Sequence, residues 1–146
     1  MRRVELPGNV EGHLFLHSMP GRYEPIEEFL TDIIVKNITC VVCLASPDEI
    51  RQRSPAYAAV LDETVPWEHI AFPISNLATP DDLSLEPVSG EIVKRLREGK
   101  NVLIHCVSGI GRAGTVAVAI LLNFWSQHSI QNRQRRALAT SQRHIR

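Results

Sequence analysis

Asn101-Val102-Leu103-Ile104-His105-Cys106-Val107-Ser108-Gly109-Ile110-Gly111-Arg112-Ala113-Gly114-Thr115 is the stretch that decides how this chain is read. Asn101 to His105 is a short apolar β run, which predicts a buried strand. A loop with two glycines separates Cys106 from Arg112, and an apolar helix is expected from Arg112 to Gln127. In a strand–loop–helix of this kind the loop N–H groups can turn inward and form an anion nest at a helix N-terminus. Gly109 and Gly111 allow the turns and the close backbone approach this needs. Arg112 can return over the nest and grip two phosphate oxygens with its planar fork. Cys106, at the base, feels the same N–H dipoles, which favour thiolate over thiol. A thiolate beneath a cradled phosphorus is a nucleophile in line for attack.

Working outward, strands and helices alternate. His13 to His17 reads as a strand ending at the Met19-Pro20-Gly21 turn. Pro25 to Asn37 carries a helical apolar stripe at 26, 29, 30, 33 and 34. Ile38 to Ala45 is nearly all apolar, as a strand buried on both faces should be. Ser46-Pro47-Asp48-Glu49 supplies an N-cap, an N1 proline and two acids for the next helix. Trp67 to Ile74 reads as a second buried strand, followed by a Pro/Asn/Asp-rich loop from Ser75 to Ser84. Glu86 to Glu98 is an amphipathic helix closed by Gly99. The expected fold is α/β: a central, mainly parallel sheet flanked by helices, with a strand–phosphate loop–helix site.

The 146 residues, 44% hydrophobic and 22% charged, are read as one domain over 1–146, too apolar for a disordered chain. The uncharged run Ala113 to Ser129 has a polar C-terminal end, with Asn123, Ser126, Gln127 and His128, and reads as a buried helix rather than a span, with Trp67 and Trp125 in the core. Net charge is zero, so no nucleic-acid or membrane partner is indicated. The distribution is lopsided. Sixteen acids and nine bases lie at or before Glu98, a balance of −7, and seven bases with no acid follow it. Five of those seven are arginines within the last 14 positions, in an Arg-rich helix or tail over 129–146. Three unevenly spaced cysteines form no disulfide framework and point to a reducing, cytoplasmic setting. Cys40 and Cys43 stand three apart on a strand, so they face opposite ways and read as core cysteines.

His-Cys-x-x-Gly-x-Gly-Arg-x-Gly-Thr, in this context, resembles the signature of cysteine-dependent protein tyrosine and dual-specificity phosphatases. The likeness to small single-domain members covers about residues 10–125, including Gly12 to Gly21, the Val41-Val42-Cys43-Leu44 strand and Phe72-Pro73-Ile74. It implies a protein phosphatase acting on phosphotyrosine ahead of phosphoserine and phosphothreonine, through a phosphocysteine on Cys106. Arg112 and the loop residues Val107, Ser108, Gly109, Ile110 and Gly111 would hold the phosphate or a sulfate, and His105 would orient the loop. The partner is a phosphorylated protein or peptide; no metal or cofactor is implied. The loop carries no lysine, whereas phosphoinositide members usually place extra basic residues there.

Two positions depart from the pattern. Similar phosphatases place an acidic proton donor where this chain has Asn76, and an amide cannot take that role. Asp81 and Asp82, in the same loop, are the substitutes, with a helix-capping turn as their alternative role. The family usually places Ser or Thr after the arginine, where this chain has Ala113. That hydroxyl helps the cysteine leave, so hydrolysis of the phosphoenzyme should suffer. Both departures support the alternative of a catalytically impaired, phosphate-binding pseudophosphatase.

Overall fold

The computed structural model describes residues 1–75 and 84–144. In chain order the elements are β1 (Arg2–Val4), β2 (Leu14–His17), α1 (Ile26–Val35), β3 (Ile38–Cys43), α2 (Pro47–Arg53), α3 (Pro55–Leu61), β4 (Glu68–Ala71), α4 (Glu86–Arg97), β5 (Asn101–His105) and α5 (Gly111–His144). The sheet runs β1-β2-β5-β3-β4. β2, β5, β3 and β4 are mutually parallel, and β1 closes one edge antiparallel to β2. The mixed α/β fold with a mostly parallel sheet is thus the one the alternation predicts.

Burial of β5 and β3 in the middle of the sheet follows from their composition, since strands covered on both faces read as continuous apolar runs. Alternation along each strand divides the core in two. Val102, Ile104 and Cys106 pack with α4 and α5, together with Cys40 and Val42. Leu103 turns to the other face with Val41 and Cys43, against Phe29 of α1 and Tyr57 of α3. Cys40 and Cys43 therefore lie buried on opposite faces as free thiols.

The register brings His17 and Cys43 level with His105, so the loops after β2, β3 and β5 leave from one edge, at the carboxyl ends of the strands. Parallel α/β sheets bind ligands at that edge. Helix ends follow local chemistry. Asn37, at φ 51°, stands in the left-handed region just past α1, and Gly99, at φ 83°, does the same past α4.

Three sequence expectations are corrected. The run Trp67 to Ile74 forms a strand only over Glu68–Ala71, and it is an edge strand with mostly exposed side chains rather than one buried on both faces. The last helix does not stop at Gln127 but continues to His144, because the following residues contain no Gly or Pro to break it. Trp125 is not in the core: it is 66% exposed. Phe124 is the last α5 residue in the core cluster, and every residue from Trp125 to Arg143 is exposed. Trp67 is buried as expected. No described helix is long and apolar enough to cross a membrane.

Candidate active site

Cys106 follows β5 directly, so strand alternation fixes its side chain on the α4/α5 face, where it is almost wholly buried. Val107 to Ile110 form the loop, and α5 begins at Gly111 with no acid in its first turn. The unpaired N–H groups and the positive dipole end of α5 thus face the loop without a competing carboxylate on the helix. The Gly109 N–H points inward and donates to Cys106 Sγ at 3.2 Å. That places an amide donor on the sulfur, as an anion nest requires.

The loop is pinned from several sides. The Met19 N–H donates to the Val107 carbonyl at 3.0 Å, and the Leu44 N–H to the His105 carbonyl at 3.0 Å. Arg2 of β1 donates through Nη2 to the Gly109 carbonyl, tying the first strand to the loop. Gly109 has two independent reasons to be glycine. Its φ is 78°, and a Cβ there would stand 2.7 Å from the backbone of His17 and Ser18.

Arg112 is 9% exposed and its fork is already half used. Nη1 donates to Glu49 Oε1 at 2.9 Å and to the Ile74 carbonyl at 2.9 Å, while Nη2 donates to Glu49 Oε2 at 2.8 Å. A guanidinium has five N–H donors. Three are taken here, and the two left over, on Nε and Nη2, lie along one edge. That edge has the spacing for two oxygens of a tetrahedral anion. The carboxylate–guanidinium contact holds the Glu49 carboxyl below the usual glutamate range and raises Arg112 further. Ile74 reaches this place because its N–H donates to the Leu44 carbonyl at 2.9 Å.

Glu49 was not recognised in the sequence as a site residue. It appeared only as an acid of a helix first turn, and it has that role too. The Ser46 hydroxyl accepts from the Glu49 N–H at 3.2 Å, and Glu49 Oε1 accepts from the Ser46 N–H at 3.1 Å. The Ser-x-x-Glu spacing of this capping box was the available signal. It reports a rigid glutamate but not the arginine 63 positions away.

Tyr57 was missed as well. Its hydroxyl lies 2.9 Å from His105 Nε2, while His105 Nδ1 lies 3.2 Å from the Cys106 carbonyl. A carbonyl only accepts, so Nδ1 carries the proton, Nε2 is the acceptor, and Tyr57 donates. Burial pushes His105 down to about 3, so it is neutral in this network. Burial likewise raises the Tyr57 phenol and pushes Cys43 up to about 11. His105 thus joins Tyr57 of α3 to the backbone carbonyl of Cys106.

A pocket of about 250 Å³ opens over the loop, bounded by Cys106, Ser108, Arg112, Glu49, Gln52 and Arg53. Arg53 is exposed on its rim. Ala113 is fully buried in the same apolar cluster as Cys106. Asn76, Asp81 and Asp82, the positions expected to decide leaving-group protonation, lie outside the described residues.

A family model described as PTP-SAK, Swiss Army Knife protein, DSP-PTPase phosphatase domain, matches residues 10–146. Among solved structures, the kinase-associated phosphatase KAP, with its catalytic-site cysteine changed to serine, superposes with a TM-score of 0.65 at 22% identity. The match covers 76% of this chain and 65% of that one, so the chain spans just under two thirds of KAP. Tk-PTP in its active form is 29% identical over 77% of this chain and 68% of its own, with a TM-score of 0.48. TpbA of P. aeruginosa is 15% identical over 79% of this chain and 65% of its own, with a TM-score of 0.44. None of the curated proteins matches the chain.

Proposed function

The chain belongs to the DSP-PTPase phosphatase domains of the Swiss Army Knife type, and from that premise we propose that it is a protein phosphatase hydrolysing phosphotyrosine through a phosphocysteine on Cys106. The observation that carries this reading is the meeting of Cys106, on whose Sγ the Gly109 N–H is aimed, and Arg112, which keeps two donors unused, in the lining of one pocket.

Cys106 Sγ attacks phosphorus as the bond to the tyrosyl oxygen breaks. The loop N–H groups from Val107 to Gly111 and the free edge of Arg112 take the charge that develops on the non-bridging oxygens. Asp81 or Asp82 gives the leaving oxygen its proton, since Asn76 cannot. Water then cleaves the S–P bond and releases phosphate. Glu49, Tyr57 and His105 touch no reacting atom in this scheme; they position Arg112 and Cys106. The loop offers Arg112 as its single cation, which fits one phosphate on a protein side chain better than a polyphosphorylated lipid or sugar. The free, buried cysteines fit a reducing, cytoplasmic setting.

Ala113 supports a second reading, a pseudophosphatase that binds phosphate without turning over, because no hydroxyl follows Arg112 to assist cysteine release. Phosphate release from an aryl phosphate and from a phosphotyrosine peptide separates the two. Turnover abolished by Cys106→Ser and by Arg112→Lys is the expected result. Vanadate binding without turnover in the unaltered protein would establish the pseudophosphatase instead.

A further inference from the structure

β1 pairs with β2 in a register that sets Arg2 opposite Leu16, Arg3 opposite Phe15 and Val4 opposite Leu14. Because the two strands run in opposite directions, Arg2 stands at the carboxyl end of β2, level with the edge where the phosphate loop leaves β5. Residues paired across neighbouring strands share a face of the sheet. Leu14 and Leu16 lie in the same core cluster as Cys106, Ala113 and Val116, and Val4 packs against it. Phe15 belongs to the other cluster. Strand alternation therefore puts the side chain of Arg2 on the loop's side of the sheet and that of Arg3 on the far side. Two exposed arginines adjacent in sequence thus differ in what they can reach.

Arg2 reaches one atom of the loop. Its Nη2 donates to the Gly109 carbonyl, and no described backbone N–H shares that acceptor. Gly109 accordingly sends its N–H to Cys106 Sγ and its carbonyl to Arg2. The peptide that follows is trans, so its C=O and N–H point opposite ways. A carbonyl held on Arg2 turns the Ile110 N–H away from β1 to Ser108 Oγ at 3.4 Å, and Ser108 lines the anion pocket. Half a turn of this peptide would set a carbonyl oxygen where that N–H stood, with the wrong end of the dipole towards an anion. Gly109 has no Cβ to oppose the rotation. The restraint has to come from outside the loop, and Arg2 is placed to supply it.

We propose that Arg2 is a positioning residue for anion binding: from the edge strand it holds the Gly109–Ile110 peptide in the orientation that offers an N–H to the pocket. This deepens the phosphatase reading and rests on it for the nature of the anion. Arg2 touches no reacting atom; it acts through the peptide. The first strand thereby becomes part of the site's support, although it contributes nothing to the lining of the pocket.

Titration calorimetry of the full chain with vanadate reads the loop without turnover, and steady-state hydrolysis of an aryl phosphate reads it in the reaction. Arg2→Met keeps the aliphatic stem and removes the donors. Arg2 is exposed on an edge strand, so the fold should persist by circular dichroism. Vanadate affinity and kcat/KM should both fall about 10-fold, less than the ~100-fold of losing an oxyanion donor outright, because the peptide is loosened and not deleted. Arg2→Lys keeps the charge and one donor and should lie between parent and Arg2→Met. Arg3→Met makes the same charge change on the far face and should leave both readings unchanged. The loss in Arg2→Met should persist in about 1 M salt, where charges more than about 3 Å apart are screened. Unchanged vanadate affinity in Arg2→Met overturns the proposal. So does an equal loss in Arg3→Met, or a loss that vanishes in salt, since either makes Arg2 only one of the chain's cations. A parent that hydrolyses aryl phosphate no better than Arg2→Met removes Arg2 and leaves the phosphatase reading standing. A parent that binds vanadate more tightly than Arg2→Met but turns nothing over overturns the phosphatase reading and supports the role of Arg2. A parent that binds no vanadate overturns both.

Discussion

Glu49 and Arg112 meet carboxylate to guanidinium, at 2.9 and 2.8 Å, across 63 positions of sequence. The contact does more than join α2 to the start of α5. It occupies the Nη1–Nη2 edge of the Arg112 fork and leaves the Nε–Nη2 edge unused in a residue that lines the pocket with Cys106. Ser46 in turn holds Glu49 through the capping box, so a helix cap after β3 sets the orientation of a side chain after β5. Aiming one planar group this way matters because small misplacements of a positioning group can cost about 100-fold in rate.

Glu49→Gln keeps the shape but loses the charge and one acceptor for the bidentate contact. We expect kcat/KM on a phosphotyrosine peptide to fall about 10- to 100-fold, with the fall mainly in kcat. Steady-state kinetics check this. An unchanged rate would mean that Arg112 finds its orientation from the Ile74 carbonyl alone.

The pH dependence of stability should show two windows on the acid side. His105 is pushed down to about 3 by burial, so the unfolded chain takes up its proton first and stability falls as pH drops below the ordinary histidine range. Glu49 is lowered by Arg112, so its contribution is fully present above the usual glutamate value and is lost as pH falls through the lower folded one. Urea unfolding of the parent and Glu49→Gln tests the assignment. The stability gap between them should close below the glutamate range and stay constant through the histidine range.

Tyr57→Phe removes the donor to His105 Nε2 and leaves a buried acceptor unpaired. A stability loss of about 1–3 kcal/mol is expected, the usual range for a buried polar group without its partner. Denaturant midpoints measure it. The rate should fall less than in Glu49→Gln, because the tyrosine acts on Cys106 only through the imidazole and a backbone carbonyl.

Gly109→Ala puts a methyl group 2.7 Å from the His17–Ser18 backbone at a φ of 78°. The left-handed conformation alone costs about 1–2 kcal/mol for a residue with a Cβ, and the loop must also move off β2. Activity should fall sharply with phosphate affinity, as read by product inhibition, while the sheet persists by circular dichroism. Gly114→Ala is the control, since nothing stands within 4 Å of a Cβ there.

Ala113→Ser restores a hydroxyl after Arg112, at a fully buried position in the same cluster as Cys106. If breakdown of the phosphocysteine limits the rate, a pre-steady-state burst in the parent should diminish and turnover should rise in the variant. Rapid-quench kinetics decide it; no burst and no gain would remove Ala113 as the bottleneck.

The sequence by itself determined the α/β class, the mainly parallel sheet and the strand–loop–helix around Cys106. These are local properties: β-branched apolar runs, a Gly-x-Gly turn and a helix start within a few residues of one another. It also placed Cys40 and Cys43 correctly on opposite faces, because strand period is a two-residue matter. What only the tertiary structure decided depends on elements far apart in the chain. Sheet order sets Glu49 beside Arg112 and Tyr57 beside His105, and nothing within α2 or α3 records which strand will lie next to β3. Edge or centre is equally invisible, so the apolar residues of Trp67 to Ile74 read as a doubly covered strand although β4 has one neighbour. Trp125 shows the same limit from the other side. The residues before it are apolar, but burial depends on which side of α5 meets the sheet, and Trp125 lies on the side away from the core residues Ile120 and Phe124.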